Sequence, residues 1–314
     1  MSHPVYLVYT YVDGSDPDFV ARKNAALAAV GKPPVEAALK GRFEDNGEIL
    51  YSLRSAEKFL PFVRKVYIVT GSRLPVWLDV SRSDLEVVRL DDLAGADMPV
   101  TFNSNGVETV THRIPGLSEH FILSNDDFFF GRPLSYTDFF TADDKALYYT
   151  DFFTSKSELK RKMNRPPRGT YGATRNNSFR AIQKKFGDFS ALRLPHIPRP
   201  YLKSVTFDLE RDFAEEFRVT RQAVFRTLNE YSPTYLFPLY AAAKGRAVIR
   251  RATPFVKILA NLDRPGLSRK MAMIKVLRPK FFCFSEGPKT PPEVFVKMQA
   301  FLEEMFPKKS RFER

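Results

Sequence analysis

Asp126 and Asp127 stand side by side after Asn125, near the middle of the 120–131 stretch HFILSNDDFFFG. Two adjacent carboxylates suit a hard metal ion. Mg²⁺ prefers oxygen ligands, keeps several waters, and commonly bridges one or two carboxylates to substrate phosphates. Read alone, Asn-Asp-Asp is an ordinary polar turn. The apolar residues on both sides weigh against that, because two carboxylates between them need a partner charge. Other residues carry chemistry less sharply. His196 lies in 194–200, LPHIPRP, where prolines restrict the backbone. A held imidazole is what a general base requires, and a plain rigid loop looks the same. Asp13, followed by Gly14, either hydrogen-bonds a base or ribose or caps a helix. Arg54 is either a phosphate ligand or the ion-pair partner of a neighbouring Glu. His112 is a ligand, a base or a satisfied structural group.

The elements that must hold these residues follow from periodicity. Residues 5–12 form a near-continuous apolar and aromatic run, the pattern of a buried parallel strand. The run stops at Asp13-Gly14-Ser15-Asp16-Pro17, where Gly14 permits a tight turn and Asp16-Pro17 opens a helix. A nucleotide commonly sits after such a first strand. No GxGxxG is present, which argues against a dinucleotide fold of the usual kind. Helical spacing puts Ile49, Leu53 and Ala56 on one face of 49–58, with Asp45 in the cap region. Residues 66–70, closed by Gly71, and 85–90 read as strands. Residues 121–123 form the strand that delivers Asp126 and Asp127, at the end where ligands collect in open α/β sheets. Strands alternating with helices predict an α/β sheet of βαβ units.

Helices are predicted over 175–185, 207–217 and 232–243, with Arg226 between the last two. A final amphipathic helix over 291–306 carries Val294, Phe295, Met298, Phe301, Leu302 and Met305 on the side that packs on the core. The expected organisation is 1–150 for the core with the metal site, 151–245 for a basic loop and helical insertion, and 246–314 for a return to the core.

At 314 residues the chain can make one large α/β domain or two modest ones. Its formal charge is +13, so its partners are anions: a nucleotide sugar, a polyanionic polymer, an acidic membrane surface or nucleic acid. Residues 156–168 concentrate Lys156, Lys160, Arg161, Lys162, Arg165 and Arg168 around Pro166 and Pro167. They make a solvated face or an anion-binding flap over the site. No aromatic residue is interleaved before Tyr171, which weighs against a stacking platform for single-stranded nucleic acid. The single cysteine, Cys283, excludes an internal disulfide framework, fits a reducing cytosol and reads as a core residue. The first residues lack the basic and apolar regions of a signal peptide. No apolar run approaches about 18 residues, so membrane contact is expected to be peripheral at most.

Several stretches, in order, resemble the Stealth family of sugar-1-phosphate transferases. Residues 11–16, YVDGSD, resemble its first motif. Residues 42–55, continuing through 63–70 (VRKVYIVT) to Pro75 and 77–78, resemble the second. Residues 102–131, with HRIPGLSEHFILSNDDFFFG, resemble the third, and FLEEMFPKKSRFE resembles the end of the fourth. The combination covers most of the chain and is specific. It implies a nucleotide-sugar-binding, Rossmann-like (GT-A-like) α/β core with a helical insertion. It also implies phosphotransfer. A glycan hydroxyl attacks the phosphorus bonded to the sugar of a UDP-hexosamine, UMP leaves, and the anomeric configuration is kept.

Residue by residue, the resemblance assigns Asp126 and Asp127 to Mg²⁺ or Mn²⁺, and Asp13 and Gly14 to the uridine side. Asp45, Glu48 and Arg54 match the second motif and line the diphosphate or sugar, with Asp45 among the catalytic set. Glu108 and His112 match polar positions of the third, and Asn125 joins the substrate contacts. His196, in PHIPR, resembles the family histidine proposed as base for the acceptor hydroxyl. Arg175 and Arg226 sit where family arginines approach the phosphates. One departure stands out. The fourth motif usually has Asn-Asp after a Cys and an apolar residue, whereas Cys283-Phe284 is followed by Ser285-Glu286-Gly287. Either Glu286 replaces the acid or a metal or sugar contact is lost.

The expected protein is therefore a bacterial, cytoplasmic transferase of capsular or cell-surface polysaccharide synthesis, with at most peripheral contact at the inner face of the membrane. Its acceptor is an anionic glycan or phosphodiester polymer, and no nucleic acid is involved. An ordinary UDP-sugar glycosyltransferase, which releases UDP, is the alternative. A non-enzymatic binder of anionic polymers rests on charge alone, which carries no sequence information.

Overall fold

The computed structural model describes residues 3–30, 43, 45–95, 98–151, 153–155, 157, 161, 166–167, 169–187, 191–287 and 290–314. One expectation lies outside that set: apart from Ser157, Arg161, Pro166 and Pro167, the basic flap of 156–168.

Strand β1 (Val5–Tyr11) is buried along most of its length, as its apolar run predicts, and lies at the centre of a five-stranded sheet. Helices α1 (Pro17–Ala29) and α2 (Glu48–Phe59) separate it from β2 (Val63–Thr70), its parallel neighbour. Strand β3 (Leu85–Arg89) pairs parallel with β2. Helices α3 (Leu90–Ala94) and α4 (Ser104–Glu108) then lead to β4 (His120–Asn125), parallel to β1 on its other side. The chain continues through β5 (Phe128–Phe130), β6 (Ala146–Thr150), β7 (Phe153–Thr154), α5 (Gly169–Phe186), β8 (Ala191–Leu192) and β9 (Arg199–Leu202). It ends with α6 (Lys203–Asp212), α7 (Ala214–Gln222), α8 (Pro233–Ala243), β10 (Ala247–Arg251), β11 (Lys257–Asn261), α9 (Leu267–Leu277), β12 (Phe281–Ser285) and α10 (Pro292–Met305).

The main sheet has the order β3-β2-β1-β4-β9. Its parallel 3-2-1-4 run is the Rossmann-like α/β arrangement expected. The order reverses between β1 and β4, so the connections that follow these two strands diverge and leave a crevice at their carboxyl ends. Asp13 follows β1 there, and Asp126 follows β4. Strand β9 closes the sheet antiparallel to β4, with Leu123 opposite Arg199. Residues before Arg199 therefore lie at the same end of the sheet as residues after Leu123. That register brings His196 to Asp127, across 68 intervening positions of sequence.

Strand β5 turns back and pairs antiparallel with β12, which pairs parallel with β11. This second sheet delivers the segment after Cys283 to the same crevice. Helix α10 covers it: Met298, Phe301 and Leu302 are buried against Phe282 and Phe284, and Val294, Phe295 and Met305 pack partly buried on the same cluster. The apolar face predicted for this helix is the one it uses. Helix α2 is stitched to both sheets. Its Ile49 and Leu53 are fully buried, which stabilises each by roughly 1.5–3 kcal/mol relative to exposure. Ser52 Oγ bonds the Tyr9 hydroxyl at 2.9 Å and donates to the Phe128 carbonyl, and the amide of Phe130 donates to Ser55 Oγ at 3.1 Å.

Two local readings need correction. The single helix expected over 207–217 is two, α6 and α7, because Phe213 leaves helical geometry (φ −130°, ψ 41°) to bury its ring. Strands β10 to β12 and helix α9 did not emerge from periodicity. No helix among the described residues is long and apolar enough to cross a membrane.

Candidate active site

The crevice is a cleft of about 480 Å³. One wall is aromatic: Tyr11, Phe19, Phe43 and Phe102 line it together with Thr70, Gly71 and Leu90. The floor is acidic, with Glu48, Asn125, Asp126 and Asp127. His196 and Arg226 reach it from 191–243, and Phe284, Ser285, Glu286 and Gly287 arrive from the end of β12.

The acidic floor concentrates charge. Asp126 is pushed well above the ordinary carboxylate range by burial and then by the charges of Asp127, Glu48 and Asp45. Glu48 is pushed up to about 8, again by burial first, with Asp45 and Asp127 adding repulsion. Asp45 accepts from the Tyr11 hydroxyl at 2.7 Å and from the amide of Gly47 at 2.8 Å. It thus holds the residue that opens α2, where Gly47 takes a left-handed φ of 83° that glycine tolerates best. Asp127 Oδ1 is buried with no hydrogen-bond partner among the described residues. Two acids, Asp126 and Glu48, held above their ordinary range beside the carboxylates of Asp127 and Asp45, with one orphaned carboxylate oxygen among them, fit a divalent cation: oxygen donors, excess negative charge, and an unsatisfied lone pair.

His196 stands over this floor. Its Nε2 lies 3.4 Å from Asp127 Oδ2, and its ring packs edge-on against Phe128 at 4.6 Å between centroids. The side chain is 43% exposed, so it can meet a ligand. Arg226 also lines the cleft and donates to Ser104 Oγ. The loop beneath it is braced from the same part of the chain: the amide of Phe102 donates to the Val224 carbonyl at 2.7 Å, and the Asn103 and Asn105 side chains both donate to Glu230.

The other candidates lie elsewhere. Arg54 is buried and spent on the C-terminal segment, pairing with Glu303 and Glu313 at 2.9 Å each and donating to the Phe306 carbonyl. It was expected at the diphosphate or sugar, or paired with a neighbouring Glu; the structure pairs it instead with acids 249 and 259 positions along the chain. Asp13 turns away from the cleft to pair with Arg73 at 2.6 Å and accept from Ser15. Gly14 acts through its lack of a side chain. Its amide donates to the Phe43 carbonyl at 2.6 Å, and a Cβ would meet that oxygen at 2.2 Å. Phe43 can descend onto the cleft only because this position is glycine.

Glu108 accepts from Thr234 at 2.7 Å behind the wall that Val107 presents. His112 is fully buried, with Nε2 2.7 Å from Glu210, and its pKa is lowered by burial. Arg175, on α5, contacts Asn176 and does not line the cleft. Motif position placed these residues in the right neighbourhood, while side-chain direction took them out of the cavity. The aromatic wall was missed because Phe19, Phe43 and Phe102 come from three separate segments with no common pattern. Glu286 does line the cleft, at the position where the motif departs from its usual Asn-Asp.

Comparison with known proteins assigns residues 42–148 to Stealth protein CR2, conserved region 2, and residues 195–243 to Stealth protein CR3, conserved region 3. The chain belongs to the Stealth family. In this member, conserved region 2 holds the acidic floor and conserved region 3 holds His196 and Arg226. Residues 102–131, expected to be the third motif, fall inside region 2. This Stealth protein is 34% identical over 307 residues to the exopolysaccharide phosphotransferase CpsY of Mycobacterium leprae, covering 96% of its own length and 55% of that protein. It is 32% identical over 330 residues to the exopolysaccharide phosphotransferase SCO6021 of Streptomyces coelicolor, covering 100% and 58%. The chain therefore spans a little over half the length of these relatives. Among solved structures, galactosyltransferase LgtC in complex with donor and acceptor sugar analogs aligns over 97% of this chain and 96% of that one, at 9% identity and a TM-score of 0.46.

Proposed function

We propose that this protein transfers a hexosamine-1-phosphate unit from a UDP-sugar to a hydroxyl of a glycan acceptor, releasing UMP and leaving a phosphodiester. The observation that carries the reading is the meeting, in one cleft, of Glu48, Asp126 and Asp127 with an imidazole 3.4 Å from Asp127 and with the guanidinium-bearing Arg226. Phosphoryl transfer needs charge neutralisation and alignment more than covalent help, and this cleft offers both. The relatives named exopolysaccharide phosphotransferases support the same class of reaction.

In this reading Asp126 and Asp127, with Glu48 and Asp45 behind them, hold Mg²⁺ or Mn²⁺. That ion, when bound, neutralises the diphosphate. His196 Nε2 receives the proton of the acceptor hydroxyl, and the Asp127 carboxylate stabilises the imidazolium that results. The hydroxyl oxygen bonds to the phosphorus attached to the sugar, and the bond from that phosphorus to the UMP oxygen breaks. The carbon–oxygen bond at the anomeric centre is untouched. Arg226 stabilises charge on the phosphoryl oxygens, and Asn125 adds an amide beside the metal pair. The aromatic wall with Gly71 receives the uridine, and Gly14 serves by seating Phe43. Glu286 takes the place of the missing acid. A chain of +13 suits an anionic glycan or phosphodiester polymer as acceptor, and peripheral contact with the inner face of a cytoplasmic membrane, where such polymers are made.

The test is nucleotide release. With Mg²⁺, UDP-N-acetylglucosamine or UDP-N-acetylmannosamine, and a short phosphodiester-linked oligosaccharide, the expected products are UMP and a new phosphodiester signal in ³¹P NMR. UDP without that signal would move the protein to the glycosyltransferases.

A further inference from the structure

Cys283 faces the same carboxylate as His196. Its thiol donates to Asp127 Oδ2 at 3.2 Å, and His196 Nε2 lies 3.4 Å from that oxygen. The three ligand-capable atoms all lie within 4.8 Å of one another. Around a tetrahedral ion with bonds of about 2.0–2.3 Å, neighbouring ligand atoms sit roughly 3.3–3.7 Å apart. Two of the three separations are already close to that range, and small side-chain rotations bring in the third. Along β12, Cys283 shares a face with Ser285, which lines the cleft. The thiol is thus reached from the cleft through Asp127 and His196.

One oxygen, one nitrogen and one sulfur are not a Mg²⁺ set, because Mg²⁺ takes oxygen. They suit Zn²⁺ or Co²⁺, and three protein ligands leave a fourth position for water or substrate. We propose that Asp127, His196 and Cys283 form a second cation site, selective for a thiophilic divalent ion such as Zn²⁺, which shares Asp127 with the hard-ion site. When Zn²⁺ binds, the Cys283 proton passes to solvent as the sulfur–zinc bond forms, and the lone pair of His196 Nε2 is taken up by the ion. The same imidazole cannot then accept a proton from a hydroxyl. The ion therefore inhibits transfer, a consequence that rests on the function proposed above. The binding itself does not.

Co²⁺ is the probe, because its spectrum reports its donors. The full chain, freed of metal and kept reduced, is titrated with Co²⁺. One equivalent should produce a sulfur-to-cobalt charge-transfer band in the near ultraviolet and visible bands of four-coordinate intensity. Cys283 is the sole cysteine of the chain, so the band identifies its donor without any variant. Zn²⁺ should abolish the band, and excess Mg²⁺ should leave it. His196→Ala should weaken Co²⁺ binding by about tenfold or more, since loss of even an outer-shell contact costs that much. Co²⁺ binding without the sulfur band, or no binding, overturns the proposal. If the band appears and no donor yields UMP, the cation site stands and the proposed transfer falls. If UMP is made and Zn²⁺ neither binds nor inhibits, the transfer stands and the second site falls.

Discussion

At the scale of single residues, the acidic floor sets function against stability. Asp126, Asp127, Glu48 and Asp45 repel one another in a part-buried site. Replacing Asp126 with Asn should therefore raise unfolding stability in chelator by about 1 kcal/mol. The same variant should lose the stabilisation that Mg²⁺ gives the parent and lower turnover by about 10²-fold. Thermal unfolding with and without Mg²⁺ measures the first two effects, and a parent that Mg²⁺ does not stabilise would refute the assignment. His196→Ala should lower kcat by about 10²–10⁴-fold with little change in donor KM, as expected of a base that acts on the acceptor. Steady-state kinetics with donor and acceptor varied separately decide that point.

The residues that the fold gathers at the cleft floor were the most legible part of the sequence. Asp126 and Asp127 stand out because burying two carboxylates between apolar runs makes no sense without a partner, and His196 because prolines flank it. The contrast with Arg54, Glu108 and His112 is physical. Their positions in the motifs are as good, yet helix and turn geometry aims them at Glu313, Thr234 and Glu210. A sequence gives neighbours along the chain and is silent on rotation about it.

At the scale of elements, two attachments keep the cleft in shape. The first joins α2 to the C-terminal segment through Arg54. Glu313 is 4% exposed, so Arg54→Ala would leave it buried without its cation, at a cost of about 3–5 kcal/mol. The loss should appear in urea unfolding, with donor KM little changed in the folded fraction. A large rise in KM at parental stability would restore Arg54 to the substrate. The second attachment is Glu230, fully buried beneath the loop that presents Asn103 and Ser104.

Burial raises Glu230 from 4.5 to about 7, against the hydrogen bonds from Asn105 and Asn103 and the charge of Arg226. Between those two values the folded chain keeps a proton that the unfolded chain has lost. Stability accordingly falls as pH rises from 4.5 to about 7, by about 1.4 kcal/mol per unit and on the order of 3 kcal/mol in all. Above 7 the contribution is flat. Glu230→Gln should remove this part of the slope, which unfolding at matched pH values reads directly.

Elements with a strong period were legible: β1, β2, β3 and β4 as apolar runs, and α10 by its apolar face. Strands β11 and β12 were not, because five residues buried by a sheet of their own look like any short apolar run. The break between α6 and α7 was hidden because the burial of Phe213 overrides a helical pattern that continues past it.

At the scale of the whole molecule, charge and topology act together. A net charge of +13 should draw an anionic acceptor from a distance, an effect that salt screens over about 8 Å at physiological ionic strength. The KM for a phosphodiester oligosaccharide should rise severalfold between low and high salt, while that for a neutral glycan of equal length stays nearly constant. Equal salt dependence for both would remove the long-range role of charge. The α/β class was legible from alternation. The meeting of three distant segments at one strand end was not, because it depends on β9 pairing antiparallel with β4 and β5 with β12.

The acidic floor has a consequence for inhibitor design. Compounds that copy a sugar diphosphate are themselves anions, and in this cleft they need the metal to hold them. A compact ammonium or amidinium group carried on a flat ring would meet the cluster of Glu48, Asp126 and Asp127 directly, while the ring lay against Phe43 and Phe102. Such a ligand would take the place of the ion rather than recruit it. Its potency should fall as Mg²⁺ rises, the opposite of what a diphosphate mimic would show.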